Sequence, residues 1–318
     1  MYTMKVLAND GIAQSGIDAL EKGGFEVITT KVAQDQLINY INDHAIVAVL
    51  VRSATTVRKE VIDACPNLKL IGRGGVGMDN IDVTYAREKG LHVINTPAAS
   101  SASVAELVFA HLFNSVRFLY DANRNMPLDG DSKFKELKKA YAKGVELRGK
   151  TLGIIGFGRI GQATARIALG CGMKVIASDP FIDHMDVEVP FYDGQSVTFS
   201  INTTNKEEVL QQADFLTLHV PAQKEYVIGK KEFDLMKQGA GIINAARGGV
   251  VDEVALLDAL DQEKLAFAAL DVFEDEPKPA IKVLMHPKIS LTPHIGAATG
   301  EAQDRIGTEL AEQIITLL

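Results

Sequence analysis

The chain has 318 residues, 47% hydrophobic and 23% charged, with a formal net charge of -8. That length exceeds what one hydrophobic core serves, so two domains are expected, and an acidic balance with both signs interspersed excludes the basic face of a nucleic-acid binder. Two cysteines, Cys65 and Cys171, make no disulfide framework and no Cys/His cluster of metal-ligand spacing, and no apolar run approaches a membrane span; the expectation is a cytoplasmic protein without metal, membrane or nucleic-acid partner.

The first third alternates strand-like and helix-like runs. MKVLAN, FEVITT, IVAVLV, LKLIG and LHVIN are short, apolar and rich in Val and Ile. Between them GIDALEKGG, DQLINYIND, RKEVIDAC and VTYAREKG show apolar residues at near-helical spacing, with Gly23-Gly24, Pro66 and Gly90 as stop signals. Such alternation predicts a parallel sheet covered on both faces. SSASVAELVFAHLFNSVRFLY, residues 100–120, reads as one long helix, apolar nearly all round and therefore buried. Residues 121–149 are polar, with scattered Lys and Arg.

A second alternating series starts at TLGIIG. KVIASD, FLTLHV, GIINAA, FAALDVF and KISLTP read as strands, with RIGQATARIALG, KEEVLQQA, KEFDLMKQ and EVALLDALDQEK as the helices between them. Residues 182–204 interrupt the series as a polar hairpin, turning at Asp193-Gly194. GEAQDRIGTELAEQIITLL is a terminal amphipathic helix. The fold class expected is α/β, with two doubly wound parallel-sheet domains.

GFGRIG opens the second series. Gly156, Gly158 and Gly161 stand between an apolar strand and a helical run, with Arg159 and Ile160 between the second and third glycine. The first glycine permits the tight turn, the second lets the backbone approach a pyrophosphate, and the third lets helix and strand pack closely. Asp179 ends the next strand, where a carboxylate accepts from both ribose hydroxyls and repels a 2′-phosphate. Pro180 and Phe181 follow it, with no Arg for such a phosphate, so NAD is favoured over NADP.

Ligands of open α/β sheets bind outside the carboxyl ends of the strands. Arg247 follows GIIN, Asp271 and Glu276 follow AFAAL, and His294 follows ISLT, so one cation, a carboxylate or two and a histidine converge on one rim. A guanidinium grips a carboxylate with two parallel hydrogen bonds. Histidine, with an unperturbed pKa of about 6.5, gives or takes a hydroxyl proton near neutrality, and a carboxylate on its other nitrogen orients the ring. The set suits hydride transfer at a 2-hydroxy acid, with a nicotinamide supplying the redox chemistry.

With GFGRIG, the stretches LHVP, INAARGGVVDE, ALDVFEDEP and TPHIGAAT make the chain resemble the D-isomer-specific 2-hydroxyacid dehydrogenases. The resemblance implies a catalytic trio at Arg247, Glu276 and His294. It also implies a cofactor pocket that adds Val220, Pro221, Ala246, Asp271 and Gly296 to the glycine turn and Asp179. A Glu, where formate dehydrogenases carry Gln, pairs with His294 and disfavours that activity. The family plan implies a discontinuous, flavodoxin-like substrate domain of residues 1–98 and 298–318 around a Rossmann NAD-binding domain of residues 99–297, with the active cleft between the two.

In the first domain, Arg52 and Ser53 follow one strand, and Arg73, Gly74, Gly75, Val76 and Gly77 follow another. Two arginines and a glycine-rich turn with free backbone amides suit a phosphate or a second carboxylate. Together with NTP at 95–97 they resemble the phosphoglycerate-oxidising branch of the family. That branch implies oxidation of D-3-phosphoglycerate to 3-phosphohydroxypyruvate, the entry to serine synthesis, with Lys138, Lys139 or Lys143 of a second copy aiding the phosphate. The alternatives are a glyoxylate or hydroxypyruvate reductase, another D-2-hydroxyacid dehydrogenase, and an NAD-sensing corepressor on the same scaffold. The expected partners are a small anionic 2-hydroxy or 2-keto acid and a second copy of the chain, a homodimer through the 100–120 helix.

Overall fold

The computed structural model describes residues 3–318. Among them no helix is long and apolar enough to cross a membrane. The chain divides into two compact units: residues up to Ser103 with Ala297–Leu318, and Val104–Gly296.

In the first unit, β1 (Met4–Ala8), β2 (Phe25–Ile28), β3 (Ile46–Val51), β4 (Leu70–Arg73) and β5 (His92–Asn95) form a parallel sheet in the order β2-β1-β3-β4-β5. This is the flavodoxin-like order. The strands bury both faces, which is why they read as continuous apolar runs. Leu7, Val49 and Ile71 pack against α2 (Leu37–Asp43), α3 (Lys59–Ala64) and α4 (Val83–Glu88). Val6, Ala48, Leu50 and Leu70 pack on the other side with α1 (Gln14–Lys22) and the terminal helix α13 (Gly300–Leu317). The crossing of α1 and α13 needs glycine on both helices: a Cβ on Gly16 would lie 2.7 Å from the Cα of Gly307. Ser103 stays with this unit through a 2.8 Å hydrogen bond to Thr299, so the division falls after the first turn of α5 (Ser101–Arg117).

The second unit continues with α6 (Leu119–Asp129) and α7 (Phe134–Ala140). Then follow β6 (Thr151–Ile155), α8 (Arg159–Gly170), β7 (Lys174–Ser178), β8 (His184–Pro190), β9 (Ser196–Asn202), α9 (Lys206–Gln212) and β10 (Phe215–Leu218). The last elements are α10 (Lys230–Leu235), β11 (Ala240–Asn244), α11 (Glu253–Asp261), β12 (Leu265–Leu270), α12 (Ile281–Leu284) and β13 (Ile289–Leu291). Its parallel sheet runs β13-β12-β11-β10-β6-β7. Beyond β7 a single parallel bridge joins Ala177 to Thr203. The antiparallel pair β8–β9 precedes Thr203 of that bridge in the chain. The hairpin is anchored at its base by Val187 and Ile201, both buried in the core, and by Arg166 on α8, which donates to the Glu188 carbonyl at 2.8 Å.

Two expectations need correction. The 100–120 stretch is two helices, broken where Phe118 takes a left-handed φ of 56° and Asn114 Oδ1 accepts from the Tyr120 amide at 2.8 Å. It is also not buried all round: Ala102, Glu106, Ala110, Phe113 and Arg117 line an exposed stripe. The polar residues 121–149 carry α6 and α7, joined by Tyr141, which donates to Asp121 at 2.6 Å and accepts from Asn125 at 2.8 Å. Such helices have little apolar signal, because Leu119, Tyr120, Leu128 and Phe134 are exposed.

Candidate active site

The glycine turn sits between β6 and α8. Gly156 has φ 92°, and a Cβ there would lie 2.4 Å from the His219 carbonyl oxygen. A Cβ on Gly161 would lie 2.3 Å from the Gly156 carbonyl oxygen. Gly158, the N-cap of α8, meets nothing within 4 Å and supplies no capping side chain. The turn therefore leaves its open side and the first amides of α8 to an anion. Asp179 closes the arrangement from the end of β7: Oδ2 accepts from the Phe157 amide at 2.7 Å and Oδ1 from the Phe181 amide at 2.9 Å. These residues fit a dinucleotide. Gly156, Gly158, Arg159, Ile160 and Gly161 would hold its pyrophosphate and Asp179 its adenosine ribose. Val220 and Pro221 follow β10, and Ala246 follows β11, on the same edge of the sheet.

On that edge the loop after β11 is shaped by Asn244. Its buried side chain accepts from the Ala246 amide at 3.1 Å and donates to the Arg247 carbonyl at 3.0 Å. The turn so made presents Arg247, whose Nη1 donates to the Ala246 carbonyl at 2.6 Å. The next residue ties this loop to the one carrying Glu276: a Cβ on Gly248 would lie 1.7 Å from the Phe273 carbonyl oxygen. Glu253 and Glu274 reinforce the contact, each accepting at 2.9 Å from the other's backbone amide. Burial, then the charges of Glu274 and Asp275, push the Glu253 carboxyl above its ordinary range, while the Glu274 amide opposes them.

Glu276 Oε1 accepts from the Phe273 amide at 3.0 Å, and Oε2 lies 2.8 Å from His294 Nδ1. An ionised carboxylate only accepts, so Nδ1 carries the proton of this bond and Nε2 of the neutral ring is left as an acceptor. Both side chains are part-exposed, 42% for His294 and 35% for Glu276. A pair so exposed adds little stability; what it provides is ring orientation. Asp271, 1% exposed, accepts from the Ile295 and Gly296 amides at 2.8 and 2.9 Å and so holds the backbone just beyond His294. Burial pushes the pKa of His219, beside the glycine turn, down to about 3, which favours its neutral ring.

In the first unit, Arg52 and Arg73 stand at neighbouring strand ends, β3 and β4. Asp10 fixes the Arg52–Ser53 turn: its carboxylate accepts from the Arg52 amide at 2.6 Å and from the Thr55 amide and hydroxyl at 3.0 and 2.6 Å. Arg73 is the last residue of β4, and its Nη1 donates to the Gly74 carbonyl at 2.8 Å. The expectation of free glycine amides is corrected at two positions. Gly74 donates to Val51, and Gly75 donates to Arg73 and to Thr96 Oγ1. The turn is thereby sewn to β3 and to Thr96 just after β5, and the remaining amides of the expected anion site are those of Val76 and Gly77.

Asn244, Glu253, Glu274 and Asp10 were not singled out from the sequence. Their work is done on backbone amides, which no residue spacing announces. INAARGG did carry a signal for Asn244, because an Asn that ends a strand just before a loop is a turn-maker.

The model of the D-isomer specific 2-hydroxyacid dehydrogenase NAD-binding domain matches residues 109–296. The D-3-phosphoglycerate dehydrogenase of Methanocaldococcus jannaschii is 42% identical over 317 residues, 99% of this chain and 57% of that protein. The hydroxypyruvate reductase of Thermotoga maritima is 40% identical over 320 residues, 99% of this chain and 98% of that one. The chain thus spans little more than half the length of the phosphoglycerate dehydrogenases of Methanocaldococcus jannaschii, Archaeoglobus fulgidus and Bacillus subtilis. Among solved structures, the NAD+-bound 3-phosphoglycerate dehydrogenase of Entamoeba histolytica superposes with a TM-score of 0.76 at 28% identity, over 99% of this chain and 95% of that one.

Proposed function

We propose, for a chain that belongs to the D-isomer specific 2-hydroxyacid dehydrogenases, that it interconverts a small anionic 2-hydroxy acid and its 2-keto acid, and that the substrate is D-3-phosphoglycerate, oxidised to 3-phosphohydroxypyruvate. The observation that carries the reaction class is the His294–Glu276 pair at 2.8 Å, on the same sheet edge as the glycine turn and the Arg247 loop. Bound NAD supplies the hydride acceptor. Arg247 takes the substrate carboxylate in its planar fork and fixes the carbon to be oxidised. His294 Nε2 removes the hydroxyl proton as the carbonyl forms, and returns it in the reverse direction. Glu276 keeps Nδ1 protonated and stabilises the imidazolium that results.

The phosphorylated substrate is supported by Arg52 and Arg73 at adjoining strand ends, with the Val76 and Gly77 amides, and by the phosphoglycerate dehydrogenases among the relatives. A second reading, a reductase of unphosphorylated hydroxypyruvate, is favoured by the Thermotoga maritima relative, which matches over nearly its whole length. NADH oxidation against phosphohydroxypyruvate, hydroxypyruvate, glyoxylate and pyruvate, by the wild type and by Arg52→Ala/Arg73→Ala, separates them. The first reading requires that phosphohydroxypyruvate be preferred and that the double variant lose that preference. Equal losses on all four acids contradict it. The exposed Phe113, Leu119, Tyr120, Leu128 and Phe134 on α5 to α7 support a homodimer through this region, with Lys138, Lys139 and Lys143 available to a second copy. Sedimentation of the purified chain tests it, and a monomer at micromolar concentration removes it.

A further inference from the structure

A half-buried line of hydrogen bonds runs from α5 to the loop that carries His294, wholly within the second unit. Asn114 Oδ1 accepts from the Tyr120 amide, which turns its Nδ2 toward Ser290 Oγ at 2.9 Å. Ser290 accepts there and has its own hydrogen to offer His111 Nδ1 at 2.8 Å. His111, 4% exposed, carries a proton on Nε2, 2.9 Å from Thr292 Oγ1, because Thr292 spends its own hydrogen on a carboxylate. Thr292 in turn donates to Asp271 Oδ1 at 2.6 Å. Every donor points the same way, toward one carboxylate, and such chains strengthen each member.

Asp271 is where the line ends and the catalytic loop begins. Its two oxygens hold the amides of residues 295 and 296, while His294 itself sits at a left-handed φ of 55°. A residue other than glycine keeps such a backbone only where its surroundings impose it. Burial pushes the His111 pKa down, with the charge of Asp271 opposing, consistent with a neutral ring. A protonated ring would donate from both nitrogens and would turn the Ser290 hydrogen away from Nδ1, leaving it without that partner.

We propose that His111 is a positioning residue for His294: a neutral imidazole, protonated on Nε2, that orients Thr292, through which Asp271 fixes the backbone of residues 294–296. The proposal rests on the dehydrogenase reading for its kinetic consequence and on the hydrogen-bond geometry and burial of His111 for the state of the ring. Two measurements test it. Long-range proton–nitrogen NMR of the imidazoles in the full chain should show one histidine, absent in His111→Gln, as the neutral Nε2-protonated tautomer at pH 7. An Nδ1-protonated ring or an imidazolium at that position overturns the proposal, and this signal is read whether or not the chain reduces any 2-keto acid.

The second measurement is kinetic. His111→Phe keeps the shape and removes both nitrogens; it should lower kcat about tenfold or more, with KM for the keto acid and the Kd for NADH within about threefold. His111→Gln restores a donor near the Nε2 position and should recover kcat to within about threefold of wild type. Thr292→Val should match His111→Phe, and the double variant should lose no more than either single one, since both break one line. Unchanged kcat in His111→Phe, no recovery in His111→Gln, or fully additive losses each overturn the proposal. If His111→Phe fails to fold, Thr292→Val and His111→Gln carry the same comparison.

Discussion

Replacing Gly248 with alanine drives a methyl group into the backbone that supports Glu276. The added Cβ would lie 1.7 Å from the Phe273 carbonyl oxygen and 2.5 Å from its carbon. Ordinary carbon–oxygen contacts come no closer than about 3.3 Å, so one loop must retreat by about 1.6 Å. The Phe273 amide holds Glu276 Oε1, and Glu276 holds His294, so the retreat is passed to the acid–base pair on one side and to Arg247 on the other. A misplacement of about 1 Å costs on the order of 100-fold in rate, and the loss of kcat in Gly248→Ala should be at least that large. NADH affinity should stay within about threefold, because the glycine turn at 156–161 lies elsewhere on the edge. Gly249→Ala is the control. Gly249 has φ 75° and nothing within 4 Å of its Cβ, so alanine there adds backbone strain of about 1–2 kcal/mol without a wedge. Steady-state kinetics, NADH fluorescence titration and thermal melts of the two variants read the difference. A Gly248→Ala enzyme with near-normal kcat, or one no worse than Gly249→Ala, refutes the coupling of the two loops.

Arg247→Lys should cut kcat/KM by about 100-fold or more, since lysine cannot make the planar two-point contact; a near-normal variant takes Arg247 out of the carboxylate-gripping role. Asp179→Ala should weaken NAD binding and narrow its preference over NADP, because the carboxylate proposed to take the ribose also holds the Phe157 amide; an unchanged preference in paired titrations moves selectivity elsewhere. Glu253→Gln keeps an acceptor for the Glu274 amide and removes a charge crowded by Glu274 and Asp275. Because the folded pKa of Glu253 is raised, its stabilising contribution is fully present below the ordinary value of 4.5 and is lost as pH rises through the folded pKa. Thermal melts should therefore find Glu253→Gln more stable than wild type near neutrality and equal to it in acid. A variant less stable at every pH contradicts this.

Where both faces of a strand are buried, the sequence was nearly transparent: IVAVLV is β3 residue for residue, and RIGQATARIALG is α8. The glycine turn and His294 with Glu276 were legible because their chemistry restricts residue type as well as spacing. What escaped has two physical origins. Helices α6 and α7 expose their large apolar residues to solvent, so no stripe of helical period marks them. The supporting residues Asn244 and Asp10 bond to backbone groups whose direction depends on the finished turn, as the committed amides of Gly74 and Gly75 also do. The helix break at Phe118 belongs to the same class, since only the folded chain brings the Asn114 side chain to the Tyr120 amide.

The most direct test of His294 as the acid and base of a hydride transfer is an isotope experiment. NADH deuterated at the transferring position is incubated with phosphohydroxypyruvate and the wild-type chain, and separately with His294→Ala. The wild type should deliver deuterium to C2 of a D-2-hydroxy acid. His294→Ala should bind NADH with wild-type affinity yet transfer label at least about 100-fold more slowly. Transfer at an undiminished rate by His294→Ala, or no transfer by the wild type to any of the four 2-keto acids, contradicts the account.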